Sequence, residues 1–181
     1  MKAAMPVTAE AGEISLAIER AAGECSFDEL VVLHQPKVLR TAYRLLGRLE
    51  DAQDAAQEVF LRLLRNLHKI EGDPQAWLYR VTVNVCNDHY RRRPLVMEPD
   101  ANFVDAAPNP ERVLEVEERK RLLMDGLLTL PERERAAVVL RDIEGLSTRE
   151  VAAILKVEEV TVRSHISSAR LRLAKYVRSR K

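Results

Sequence analysis

The chain has 181 residues, 46% of them hydrophobic and 31% charged, with 6 Gly and a formal net charge of +1, a balance that excludes a disordered or fibrous protein. Its 2 Cys, Cys25 and Cys86, lie far apart with no C-x-x-C and no nearby His pair, so neither a disulfide framework nor a zinc site is encoded. No apolar run approaches the roughly 20 residues of a membrane span and the N-terminus lacks an apolar signal core, so the expectation is a cytoplasmic protein with no membrane contact of its own.

Residues 1–25 read as an appendage with one short amphipathic stretch, EISLAIERAAG, ended by Gly23. Ser26-Phe27-Asp28-Glu29 has capping-box spacing and predicts the start of a helix. Leu30, Val31, Val38, Ala42 and Leu45 recur on one side of it, Gly47 supplies its stop, and Pro36 is expected to kink or split it. Residues 51–68, DAQDAAQEVFLRLLRNLH, predict a second helix that buries Val59, Phe60, Leu63, Leu64 and Leu67 and turns Asp51, Asp54, Gln57, Glu58 and Arg62 another way. Asp73-Pro74 reads as an N-cap followed by a first-turn proline, opening PQAWLYRVTVNVCNDHYRRR. VTVNV alternates like a strand and is rich in β-branched residues. The cap and the spacing of Trp77, Val81 and Val85 favour helix all the same.

Residues 94–110 hold four of the eight prolines and no periodicity, which marks a domain boundary. Asn109-Pro110 then opens a helix, and Pro131 opens another that Gly145 closes. A second capping box, Ser147-Thr148-Arg149-Glu150, begins the short helix STREVAAIL; KVE turns, and EVTVRSHISSARLRLAKYV is the longer helix that follows. The fold expected is all-α: an appendage (1–25), a small helical domain (26–93), a Pro-rich acidic linker (94–112) and a second small domain (113–181) containing a helix-turn-helix.

Charge is distributed unevenly. Residues 147–181 hold nine Lys/Arg against three Glu, whereas 97–118 hold one Arg against seven Asp/Glu. A basic module of this kind suits a phosphate backbone. In a helix-turn-helix the second helix lies in the major groove, where donors and acceptors meet base edges. Thr161, Arg163, Ser164, His165, Ser167, Ser168, Arg170 and Arg172 supply such groups, and Val162, Ile166, Ala169, Leu171 and Leu173 are available for packing. From this stretch alone, an ordinary helical hairpin with a solvated basic face competes with DNA reading. In the first half, Trp77, Tyr79 and Tyr90 lie among Arg80 and Arg91 to Arg93, the mixture of aromatic faces and positive charge that single-stranded DNA requires.

Two motif sets in order resemble one family. DAQDAAQEVFLRL resembles the core-polymerase-binding helix of bacterial extracytoplasmic-function sigma factors, and WLYRVTVNVCNDHYRRR their −10 promoter-element helix. The segment LLTLPERERAAVVLRDIEGLSTREVAAILKVEEVTVRSHISSARLRL resembles their −35-reading domain. The likeness spans roughly residues 26–93 and 113–174. It implies that Asp54, Gln57, Glu58 and Leu61 dock on the largest subunit of core RNA polymerase. It implies further that Trp77, Arg80, Asn84, Asp88 and Arg91 hold the melted −10 strand, with the loop His68 to Gln75 capturing a flipped base. Thr161, Arg163, Ser164, Ser167, Ser168 and Arg170 would read the −35 duplex. The partners implied are core RNA polymerase, promoter DNA and an anti-sigma factor, with no cofactor.

Three positions depart from the family pattern: Val160 and Lys156 where Gly or Asn and Gly are usual, and Ser168 where Arg is usual. STREVAAIL…TVRSHI also resembles the output domain of response-regulator transcription factors, which would require a receiver of alternating strands and helices in residues 1–110. Neither a Gly-rich phosphate loop nor a nucleophile elbow nor a metal-spaced His/Cys set occurs, so no catalytic residue, metal ligand or enzyme activity is expected.

Overall fold

The computed structural model describes residues 26–92 and 110–180, which form seven α-helices and, among the described residues, no strand. The first half comprises α1 (Phe27–Leu46), α2 (Leu49–Asn66) and α3 (Pro74–Arg92), with a short 3-10 turn, Leu67–Lys69, between the last two. The second comprises α4 (Pro110–Leu128), α5 (Glu132–Val138), a π turn (Val139–Ile143), α6 (Thr148–Leu155) and α7 (Glu159–Arg178). The appendage and most of the expected linker fall on residues 1–25 and 93–109, outside the described residues.

Both capping boxes form. Glu29 N donates to Ser26 Oγ at 3.3 Å while Ser26 N donates to Glu29 Oε2 at 2.9 Å, and Glu150 and Ser147 repeat the exchange at 3.2 and 2.6 Å. Gly47 ends α1 with φ 81°, its N–H on the Tyr43 carbonyl at 2.7 Å. Pro36 does not split α1, contrary to the expectation from its ring. The interrupted turn lies at the surface beside Val32 and Leu33, 76% and 62% exposed, where water can serve the carbonyl left without a donor.

VTVNV is helical. Val81, Val83 and Val85 are buried, and the buried Thr82 hydroxyl donates to the Leu78 carbonyl at 2.8 Å. Burial of the β-branched residues outweighs their weak preference for strands, since each fully buried Val or Leu contributes about 1.5–3 kcal/mol.

Helices α1, α2 and α3 pack pairwise around Val38, Ala42, Leu46, Ala55, Val59, Leu63, Leu78 and Val85. Ala52 and Ala55 are fully covered, and such small side chains let α2 lie close to its neighbours. Leu64 departs from expectation at 53% exposed, because the covered stripe of α2 runs through Ala52, Ala55, Ala56, Val59 and Leu63, and Leu64 falls a sixth of a turn or more outside it. In the second half α7 lies across α4, α5 and α6 over Leu127, Leu140, Val151, Val162, Ile166 and Ala169.

The helix after Pro131 does not run unbroken to Gly145. After α5 the backbone widens, with Glu144 N on the Val139 carbonyl at 2.9 Å, and the extra residue in this turn re-aims Asp142 and Glu144. The two halves are in contact. Helix α3 packs on α6, and α1 packs on α4, α5 and the π turn. No helix among the described residues is long and apolar enough to cross a membrane.

Candidate nucleic-acid interface

Helix α7 is anchored on one side and open on the other. At 100° per residue, Val160, Arg163, Ser164, Ser167 and Leu171 share a face opposite the buried stripe of Val162, Ile166 and Ala169. All five are exposed, Val160 and Leu171 by 65% and 74%, so Leu171 lies outside the packing for which its apolar character suits it. Thr161 and Ser168, half-buried, flank one edge of this face, and Arg170 flanks the other. His165 turns toward the body of the domain, its Nε2 buried without a hydrogen-bond partner, and so does not join the open face.

Three arginines of α7 are held by carboxylates. Arg163 Nη1 donates to Glu159 Oε2 at 3.4 Å. Arg170 makes a two-pronged contact with Asp142, 2.9 Å from Nε and 2.7 Å from Nη2, and this bond raises its pKa further above the ordinary range. Arg172 Nε lies 3.1 Å from Glu134 Oε2. The guanidinium groups of Arg163, Arg170 and Arg172 are well exposed although Asp142 and Glu134 are largely covered, so each arginine can exchange its carboxylate for a phosphate. Lys156 occupies the left-handed region of the turn before α7, φ 55° and ψ 49°, with its N–H on the Ala152 carbonyl. The turn therefore keeps its geometry without the usual glycine.

On α3, Trp77, Arg80, Asn84, Asp88 and Arg91 fall on one stripe at spacings of three, four and seven residues. Arg80, Asn84 and Arg91 are exposed, Asp88 is half-buried, and Trp77 packs partly against the core. Tyr79 and Tyr90 are a correction. They point off the opposite side of α3 toward the second half: Tyr79, 4% exposed, donates its hydroxyl to Glu144, and the Tyr90 ring lies beneath Arg135. Neither ring is available to stack on a base in this arrangement. The loop before α3 turns at Gly72, φ 84°, and Asp73 Oδ1 accepts from Gln75 N at 2.9 Å while Lys37 Nζ reaches Gln75 Oε1 at 3.1 Å. His68, Lys69 and residues 71–73 are exposed along it.

On α2, Asp54, Gln57 and Leu61 are exposed and Glu58 is half-buried, all on one face. Glu58 accepts from Arg62 Nε at 2.8 Å, and this bond holds its carboxyl below the ordinary range. Leu64, placed in the core by periodicity alone, belongs to this face, since it lies three residues beyond Leu61 and both are exposed. The face thus combines acid, amide and an apolar strip, a composition suited to a protein partner. The three surfaces do not converge: two sit on the first half and one on the second.

Comparison with known proteins assigns the two halves separately. The family described as Sigma-70 region 2 matches residues 30–94, and the one described as Sigma-70, region 4 matches residues 120–173. The chain is 42% identical over 158 residues to the ECF RNA polymerase sigma factor SigE of Mycolicibacterium smegmatis, covering 84% of this chain and 62% of SigE, so it spans less than two thirds of that relative's length. It is 35% identical over 159 residues to the RNA polymerase sigma-H factor of Pseudomonas aeruginosa, covering 80% of this chain and 82% of the other. In fold it is similar to the sigma factor RpoE from Bartonella quintana, solved in complex with the anti-sigma factor NepR, with a TM-score of 0.67 at 23% identity over 86% of this chain and 98% of that one.

Proposed function

The chain belongs to the extracytoplasmic-function (ECF) sigma factors, transcription initiation factors rather than enzymes, and from this premise we propose that it joins core RNA polymerase through α2 and directs initiation by reading a two-part promoter with α7 and α3. The observation that carries the reading is the pairing of both sigma regions, in order, with an open polar face on each half: Arg163, Ser164 and Ser167 on α7, and Arg80, Asn84 and Arg91 on α3.

In this reading α7 enters the major groove of the −35 duplex with Thr161, Arg163, Ser164, Ser167, Ser168 and Arg170 at or beside the base edges. Each two-pronged Arg–guanine contact would contribute about 1–3 kcal/mol of discrimination. The −10 element is taken as single strand along α3, where Arg80 and Arg91 grip phosphates, Asn84 offers both a donor and an acceptor to a base edge, and Asp88 lines the same stripe. Pulling a base from the stack costs a few kcal/mol, which contacts from Trp77 and the loop from His68 to Gln75 offset. Asp54, Gln57, Glu58 and Leu61, joined by Leu64, dock on the polymerase. No cofactor enters, because opening draws on binding energy alone.

An anti-sigma partner, such as RpoE has in NepR, belongs to the same reading for this chain, and the site of action would then be the cytoplasm, where the polymerase works. Residues 26–93 and 113–181 act as the two functional units joined by residues 94–112. A receiver-bearing response regulator is disfavoured by the helices α1 to α3, since no strand occurs among the described residues.

The test is reconstitution. Purified protein, bacterial core polymerase and a pool of genomic upstream fragments should yield transcripts starting downstream of a shared two-part motif. Gln57→Ala with Glu58→Ala should abolish association with the core enzyme while duplex binding by the second half persists. Association unchanged by those substitutions would remove the docking assignment.

A further inference from the structure

Val160 is an apolar side chain near the centre of the open face of α7. It is 65% exposed and lies in the first turn of the helix, with Ser164 one turn farther along the same face, Ser167 two turns along, and Arg163 to one side. The buried stripe that begins at Val162 holds the helix from behind, and Val162 N donates to the Glu158 carbonyl at 3.1 Å, so the first turn is formed and its outer face has a fixed direction. A β-branched side chain in a helix keeps one dominant χ1 rotamer, so the two methyls of Val160 are already ordered before any partner arrives. Ser164 and Ser167 are short and do not hold the helix away from a surface that Val160 meets. Leu171 points the same way but lies about 16 Å farther along the axis, more than the width of a major groove, about 12 Å, so the two apolar residues cannot serve the same set of base edges.

The first residues of a reading helix are those that face base edges in the major groove. A valine there has neither donor nor acceptor. Against N7 and O6 of guanine, or N7 and N6 of adenine, it would strip water from polar atoms and return no hydrogen bond. The apolar group that the groove does present is the C5-methyl of thymine, and 5-methylcytosine carries the same methyl. Val160 stands where the family pattern has Gly or Asn, neither of which offers an apolar branch, so a contact of this kind belongs to this chain and not to that pattern.

We propose that Val160 reads a C5-methyl pyrimidine, thymine in unmodified DNA, at one position of the −35 duplex. The proposal rests on the reading of α7 given above. Ser164, about 6 Å along the axis, then meets a base pair one or two steps away. Burying one methyl-sized group corresponds to about a fourfold change in affinity, which is the preference for thymine over cytosine that Val160 sets through the methyl alone.

Deoxyuridine lacks only that methyl and keeps every hydrogen-bonding group of thymidine, so it isolates the contact. Holoenzyme assembled from the full chain and core polymerase is to be measured by competition on the −35 duplex of the strongest promoter it uses, with deoxyuridine replacing one thymine at a time. At one position the unaltered chain should bind about fourfold more weakly, and with Val160→Ala that penalty should vanish while those at other positions stay. At the same position 5-methylcytosine should bind better than cytosine for the unaltered chain and equally for Val160→Ala, and Val160→Ile should keep the preference. Circular dichroism on Val160→Ala checks that the helix is intact. A −35 element without thymine, no position sensitive to deoxyuridine, or a penalty that Val160→Ala leaves unchanged overturns the proposal. Failure of the chain to join polymerase overturns the sigma reading instead, and the same scan on duplexes that the chain alone enriches from a random pool then decides the role of Val160 by the same outcomes.

Discussion

Replacing Gly47 by Ala probes the apolar part of the seam between the two halves, and its cost can be divided into two parts. The backbone at Gly47 has φ +81°, where an L side chain costs about 1–2 kcal/mol. An added Cβ would also lie 2.5 Å from Leu128 Cδ1 and 2.8 Å from Cδ2, across the seam, so the half-buried Leu128 side chain must shift, at about 1–3 kcal/mol. The sum is about 2–5 kcal/mol, or a fall in Tm on the order of 10 °C for a chain of this length. Thermal and urea unfolding, followed by circular dichroism, would measure it in two backgrounds. With Leu128→Ala in place the overlap disappears and Gly47→Ala should cost only the backbone share, so the double-mutant cycle should show a coupling of about 1–3 kcal/mol. Equal costs in both backgrounds would refute contact between Gly47 and Leu128, and a total below about 0.5 kcal/mol would refute the backbone share as well.

Lys156→Gly should raise stability by about 0.5 kcal/mol, since it removes left-handed strain at φ 55° but frees the unfolded chain, and a lowered urea midpoint would contradict that balance. His34, 6% exposed, has its pKa lowered mainly by burial and secondarily by Lys37, against a smaller pull from Asp73. The unfolded chain protonates near the ordinary value of about 6.5 while the folded one resists, so stability is fully present above that pH and falls as the pH drops toward the lowered folded value. Urea midpoints at pH 7.5 and 5.5 should diverge more in the unaltered chain than in His34→Gln. Arg163→Ala should relax base preference at one position of the −35 duplex in competition binding; uniform weakening across all sequences would instead assign Arg163 to a phosphate.

The helix faces that carry the candidate site were legible because their signals are local. Helical spacing puts Asp54, Gln57 and Glu58 on one side of α2, the Trp77–Arg91 stripe on one side of α3, and Arg163, Ser164 and Ser167 on one side of α7, all exposed or half-buried, while the roles of the α2 and α3 residues come from the resemblance to the sigma family. Leu64 was misassigned because periodicity gives the angle between residues but not how wide a stripe its neighbours cover. Tyr79 and Tyr90 were misassigned for a related reason: an aromatic beside arginines suits a base or a packed seam equally, and only the approach of the second half decides between them.

The sequence by itself determined the all-α class, the two capping boxes, the glycine stop at Gly47 and the order of the helices, because these depend on hydrogen bonds and spacings within a few residues. The tertiary structure alone decided the π turn after Val138, the unbroken course of α1 through Pro36, the burial of Arg135 and the partial burial of Glu144. Their partners, Thr41, Arg44, Leu45, Tyr79 and Tyr90, lie far away along the chain, and a buried charge is stable only when such distant groups are brought to it.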